Sequence, residues 1–324
     1  MSKIHKIATV VLIASLFMPF LFTPAKAQDG GKIFFDLYHG QYSSYVFDYE
    51  DAWLEGNLTA MGYTVEWNNA TITASALSDV DACIIGSQYG DQNAFSAAEI
   101  SAIGDWFNTG NKFLWVGYDS DYGGYNYIND NMTAILAACG SHVYGEPTSV
   151  EDNFSNCNAS YRVVANGTSS DAYVADIVAG VDAILMHGPT LLYGSTSGDG
   201  ANPVNLETGS IAYVYPVLYY GASATILDAD LIEPKAHDNN DVGEFVAMTV
   251  EVYAGTARTG LIMVSGASPY GDYKPMRAEG YYGEVLDGKR LVEQAIDWAM
   301  ETAPTLTPPL DIMLIVGIIG VVVV

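Results

Sequence analysis

Basic residues are scarce in this chain. Lysine and arginine together number 12 against 38 aspartates and glutamates, for a formal charge of −26. Phosphate binding needs a basic surface, so nucleic acid is excluded as a partner. The same balance disfavours docking on anionic lipid head groups, permits cation binding, and chiefly serves solubility. Charged residues of both signs make up only 15%, which leaves a surface of Ser, Thr, Asn, Gly and Tyr, the last numbering 23. Cysteine is equally rare: Cys83, Cys139 and Cys157 form no CxxC and no Cys/His zinc spacing. Cys83 sits in an apolar run and reads as core. Cys139 and Cys157 flank a polar stretch and are the candidate disulfide of an oxidising exterior.

Long apolar runs occur only at the two ends. Lys3, His5 and Lys6 precede an apolar stretch over 7–22, and Ala25-Lys26-Ala27 offers a small-x-small cleavage pattern. Residues 1–27 therefore read as a signal peptide, the other reading being an uncleaved anchor. Residues 312–324 are wholly apolar. As a helix they would cover about 20 Å of a roughly 30 Å hydrocarbon core. That fits a membrane segment that is short, cut off within its span, or a processed tail. The Pro- and Thr-rich stretch 302–311 before it reads as an extended spacer. The expected body, 28–301, then stands on the extracellular face of the cell membrane, exported by the signal peptide and held by the C-terminal segment. Six Asn-x-Ser/Thr sequons, at Asn57, Asn69, Asn131, Asn153, Asn158 and Asn166, agree with a glycoprotein.

Within the body, strand and helix signals alternate. Strands are expected over 32–38, 63–67, 82–86 and 112–116, with helices over 48–61, 96–109 and 131–138. Ser96 followed by Glu99 is a capping box. Strands separated by helices need crossovers, which predicts an α/β fold with a doubly wound, mostly parallel sheet. The second half is β-rich. Strands are expected over 182–186, 211–217, 222–227, 245–253 and 260–264, and a closing helix over 291–300. Residues 145–170 and 190–208 read as surface excursions, and 145–258 as a β-rich insertion.

One order of motifs is familiar. Lys32-Ile33-Phe34-Phe35-Asp36 leads to a helix, then to Asp79-Val80-Asp81-Ala82-Cys83-Ile84-Ile85-Gly86. Phe95-Ser96-x-x-Glu99 follows, and then Gly110-Asn111-Lys112-Phe113-Leu114. Over 32–120 this resembles the class I glutamine-amidotransferase-like superfamily. Within it the likeness is to a non-catalytic branch, that of gliding-type ABC-transporter accessory proteins and of the GIFT domain of intraflagellar transport. An amidotransferase needs a Cys on a tight strand-to-helix turn and a His as base. Here that turn reads Gly117-Tyr118-Asp119, and no Gly-x-Ser-x-Gly occurs near it. Glutaminase chemistry is therefore not carried over.

Ligands of open α/β sheets bind where the strands end. The residues expected there are His39, Ser87, Gln88, Asp119, His187 and Ser265. Asp119 with His39 or His187 would serve a hydrolase; the alternative is that both imidazoles only tie loops together. Asp119, Asp121 and Asp130 stand at positions one, three and twelve of a calcium-loop spacing with Gly124 at six, so Ca²⁺ is the one cofactor the sequence suggests. The expected function is a membrane-anchored extracytoplasmic module that binds a protein or glycan at the cell surface without a catalytic nucleophile. The alternatives are a surface hydrolase of glycans or peptides and a structural cell-envelope glycoprotein.

Overall fold

The computed structural model describes residues 30–41, 49–122, 127–229 and 232–309. The expected signal peptide (1–27) and C-terminal segment (312–324) lie outside them. Among the described residues no helix is long and apolar enough to cross a membrane.

Eight strands build the main sheet: β1 (Gly30–Asp36), β2 (Tyr63–Asn68), β3 (Ala82–Ile85), β4 (Phe113–Gly117), β5 (Gly167–Thr168), β6 (Val214–Tyr219), β7 (Val246–Ala254) and β8 (Gly260–Ser265). Their spatial order is β2-β1-β3-β4-β8-β7-β6-β5. The pairings from β2 to β8 are parallel, and β8–β7, β7–β6 and β6–β5 are antiparallel. The result is a mixed α/β fold with a large, mostly parallel sheet, as the alternating signals predict.

The central strands are apolar on both faces because both faces are covered. Ile33, Phe35, Ala82, Ile84, Phe113, Trp115, Leu261 and Met263 point to one side. There they meet Leu54 and Leu58 of α1 (Tyr49–Ala60) and Leu291, Ala295 and Ile296 of α4 (Gly288–Thr302). The alternate residues Phe34, Cys83, Ile85, Leu114, Val116, Ile262 and Val264 point to the other. They pack on α2 (Ala97–Phe107) and α3 (Tyr127–Ala138) through Ile103, Trp106, Phe107, Met132, Ile135 and Leu136. The α2 capping box is formed: Ser96 Oγ accepts from Glu99 N, and Glu99 Oε2 accepts from Ser96 N at 2.9 Å.

Several expectations need correction. Residues 145–170 and 190–208 are more than surface excursions, since they hold short strands that bury Val150, Val163, Val164 and Leu192. The strand after 182 forms as Ile184–His187 and pairs with Arg162–Ala165 in a separate ribbon. The disulfide is absent: all three cysteines are free and buried. Cys139 packs with Cys83 under α3, whereas Cys157 packs with Leu185, Ala278 and Leu286 in a different cluster. Part of the expected spacer belongs to the domain. Residues Ala303–Thr305 turn as a 3-10 helix, Ala303 and Leu306 are buried, and Asn111 Nδ2 donates to both of their carbonyls at 2.8 and 2.9 Å. Apolar contact at two positions overrides a composition that elsewhere favours an extended chain.

Candidate ligand site at the strand ends

The parallel strands deliver their carboxyl ends to one edge of the sheet, and most of the expected residues arrive there only to be consumed by the fold. His39 follows β1 and is buried. Its Nδ1 lies 2.7 Å from Asp36 Oδ2, its ring stacks on Phe95 at 3.5 Å, and Gln41 Nε2 donates to the same Asp36 oxygen. His39 Nε2 stands 3.2 Å from Glu99 Oε1 at an angle that makes no hydrogen bond. Ser87 Oγ donates to Tyr118 O at 2.6 Å, so it is occupied and buried. Gln88 is buried with its amide on Gly90 O. Ser265 Oγ accepts from Trp115 Nε1 at 3.0 Å and donates to Ala267 O. The side chains of His39, Ser87, Gln88 and Ser265 tie loops together, and only His39 Nε2 and Gln88 Oε1 among their buried polar atoms lack a hydrogen-bond partner.

Asp119 and His187 do reach the edge. Both are half-buried, and the Asp119-Ser120 turn is tied to the Ile184–His187 ribbon by Ser120 N donating to Gly188 O at 2.9 Å. Asp119 has a partner that no sequence signal disclosed, Asp272, from the segment after β8. Tyr89 OH donates to Asp272 Oδ1 at 2.5 Å and also bonds the Asp119 side chain. Burial and the charge of Asp272 push the Asp119 carboxyl well above the usual carboxylate range. Burial likewise lifts Asp272, to about 6. The pair thus holds a proton more readily than two solvated carboxylates would.

Tyrosines surround this pair. Tyr89 and Tyr273 meet edge to face at 5.9 Å, and Tyr273 stacks against His187 at 5.7 Å. Tyr161 stands edge-on to His187, while the Arg162 guanidinium lies 4.2 Å from the Tyr282 ring centre and 4.9 Å from that of Tyr161. Tyr273 is 49% exposed and Tyr282 58%. His187 is held neutral: burial and then Arg162 depress its pKa to about 4. No hydrogen bond joins it to Asp119, and the charge it feels is a cation. It lacks the orienting carboxylate that a general base needs. An open cavity of about 620 Å³ around Pro203, Asn205, Lys235 and His237 shares no lining residue with this surface.

The chain matches no protein-family model, and no curated protein matches it. Among solved structures it is similar to the mmIFT52 N-terminal domain, with a TM-score of 0.55 at 12% identity, covering 83% of this chain and 97% of that one. Weaker likenesses are to a protein described as ThuA-like from Bacteroides uniformis and to one described as part of a GMP synthase from Thermoplasma acidophilum. The first has a TM-score of 0.41 at 11% identity, over 85% of this chain and 93% of the other. The second has 0.37 at 12%, over 84% and 94%. The fold is shared. At these identities nothing beyond the fold is shared by demonstration.

The calcium spacing does not assemble a site. Asp121 is buried, accepting from Ser149 Oγ and from Ala229 N at 2.6 Å, whereas Asp130 is exposed on the first turn of α3. No group of three or more potential metal ligands, these carboxylates included, occurs among the described residues, and Gly124 lies outside them. Four sequons, at Asn69, Asn153, Asn158 and Asn166, are exposed. Asn57 Nδ2 is committed to Glu293 Oε1 at 2.6 Å, and Asn131 Oδ1 accepts from Phe95 N.

Proposed function

We propose that the chain is a binding module whose ligand, a neutral glycan, lies across the strand ends against Tyr89, Tyr273 and Tyr282. The observation that carries this reading is the exposed Tyr273 ring packed on half-buried Tyr89 beside the Asp119–Asp272 pair. Sugars present apolar ring faces that stack on aromatics and hydroxyls that donate to carboxylates. No catalytic step is assigned: the turn after β4 lacks a nucleophile, and His187 is neutral and unoriented by a carboxylate. The finer family reading, a non-catalytic amidotransferase-like branch, belongs to the same proposal. So do export by the signal peptide and attachment through the C-terminal segment, which would display the site at a cell surface.

The test is binding of neutral oligosaccharides to the full-length protein, with product analysis of the same samples. Tyr273→Ala and Asp119→Asn should each weaken binding about tenfold, or roughly 1.4 kcal/mol. The oligosaccharides should be recovered uncleaved. Cleavage lost on Asp119→Asn would move the assignment to a hydrolase.

A further inference from the structure

The parallel strands set out from the edge of the sheet opposite the glycan surface, and the chain leaves the domain at that same edge. Asn111, just before β4, donates through Nδ2 to Ala303 O and Leu306 O, and its backbone N donates to Thr259 Oγ1, just before β8, at 3.1 Å. Packing of Ala303 and Leu306 leaves little spacer. Only Leu310 and Asp311 separate Pro309, the last described residue, from the apolar run that begins at Ile312. Three residues of extended chain reach about 10 Å, so whatever that run enters is held close to Pro309.

A row of aromatic rings crosses this edge. Trp298, near the end of α4, meets Tyr173 edge-on at 5.7 Å, and Tyr173 stacks on Tyr215 of β6 at 4.5 Å. Tyr253, at the end of β7, is close to both: burial first and then its hydroxyl raise the Tyr173 pKa, and it acts on Tyr215 as well. Tyr253 in turn meets Tyr213 edge to face at 5.0 Å. Tyr173 and Tyr213 are exposed, and the other three rings are half-buried. Tyr213 (φ 67°) and Tyr253 (φ 63°) hold left-handed backbone, which a bulky side chain resists. Tyr253 falls at the register shift between Val252 and Ala254, a bulge that re-aims its ring. The carboxylates beside the row, Asp171 near Tyr215 and Glu301 one helical turn beyond Trp298, are exposed. They oppose approach to an anionic surface, as does the charge of −26.

We propose that this row lies in the head-group layer of the bilayer entered by the C-terminal segment, which rests on the attachment proposed above, and that the lipid there is zwitterionic. Tyrosine and tryptophan carry an apolar ring with a polar tip and collect at the membrane–water interface. The domain then stands with its parallel strands pointing away from the lipid. The glycan surface faces outward, and the five residues of β4 alone put about 16 Å between the two edges.

Tryptophan quenching of the full-length protein in phosphatidylcholine vesicles tests it, with a nitroxide-bearing lipid as quencher. Trp298→Phe and Trp53→Phe identify the emission of each ring; Trp53 is exposed near the start of α1, at the glycan edge. The emission of Trp298 should be mostly lost to a nitroxide at head-group depth, and that of Trp53 retained. Protein that fails to float with the vesicles would overturn the attachment and this placement with it. Flotation with Trp298 unquenched, or with Trp53 quenched equally, would overturn the placement alone. So would Trp298 shielded from both the lipid nitroxide and aqueous acrylamide, which is the mark of a protein partner or a second copy on the row. Stronger quenching in phosphatidylglycerol vesicles would overturn the choice of a zwitterionic lipid.

Discussion

Asp272 is the residue at which stability and binding oppose one another. Its carboxyl is lifted to about 6 by burial, above the ordinary 3.8. A group whose folded pKa is raised favours the fold fully below its unfolded pKa and loses that contribution as pH rises through the folded value. Stability from Asp272 should therefore fall between about pH 4 and 6. Asp272→Asn keeps an oxygen for Tyr89 OH and suits a backbone at φ 61°. At pH 7 it should stabilise the protein by on the order of 1–3 kcal/mol in urea unfolding while weakening glycan binding. A loss of stability at pH 7 would show that the carboxylate is not strained. His237 gives a second window. Its Nδ1 lies 2.8 Å from Glu146 and its Nε2 2.9 Å from Glu207. Burial lowers its pKa, but the two glutamates outweigh that and hold it at about 9. Its contribution, up to about 3 kcal/mol, should be complete below about pH 6.5 and lost as pH rises through about 9. His237→Gln should flatten that alkaline decline in thermal unfolding; an unchanged decline would remove the assignment.

At the scale of elements, what could be read early was what is encoded locally. The box from Ser96 to Glu99 needs only four consecutive residues, and it formed as read. Ser96→Ala should cost about 1 kcal/mol, measured by denaturant unfolding, because Glu99 N loses its acceptor. The stretch from Ser268 to Asp287 was opaque for the opposite reason. It has no periodicity, and its place is fixed by distant partners: Tyr270 OH accepts from Gly86 N, and Arg277 Nη2 reaches Glu293. Asp272 and Tyr273 lie in that stretch, so half of the candidate site had no local signal beyond an unusual density of tyrosine. Sequons separate in the same way. Asn57 and Asn131 lie in helices and spend their amides on Glu293 and Phe95. If the chain is glycosylated, mass spectrometry of glycopeptides should find occupancy at Asn69, Asn153, Asn158 or Asn166 and none at Asn57. A glycan at Asn57 would contradict the α1–α4 contact.

The sheet was the legible part of the whole molecule. Its central strands alternate between two covered faces, and only burial on both sides asks for runs such as Ala82–Ile85 with every residue buried. The antiparallel extension is harder, because the segment joining β6 to β7 holds a short strand, Thr225–Leu227, that pairs with Ser149–Glu151 and with neither of them. The disulfide failed at this scale too: 18 residues of separation say nothing about which cluster each thiol enters, and Cys139 and Cys157 enter different ones. A site that depends on where strands end is likewise a property of the assembled sheet. Soaking crystals of the protein in a mixture of neutral oligosaccharides would examine it directly. The expected result is density for an intact oligosaccharide against Tyr89 and Tyr273, with a hydroxyl on Asp119. Density elsewhere on the molecule, or a cleaved sugar at the strand ends, would contradict a non-catalytic glycan site there.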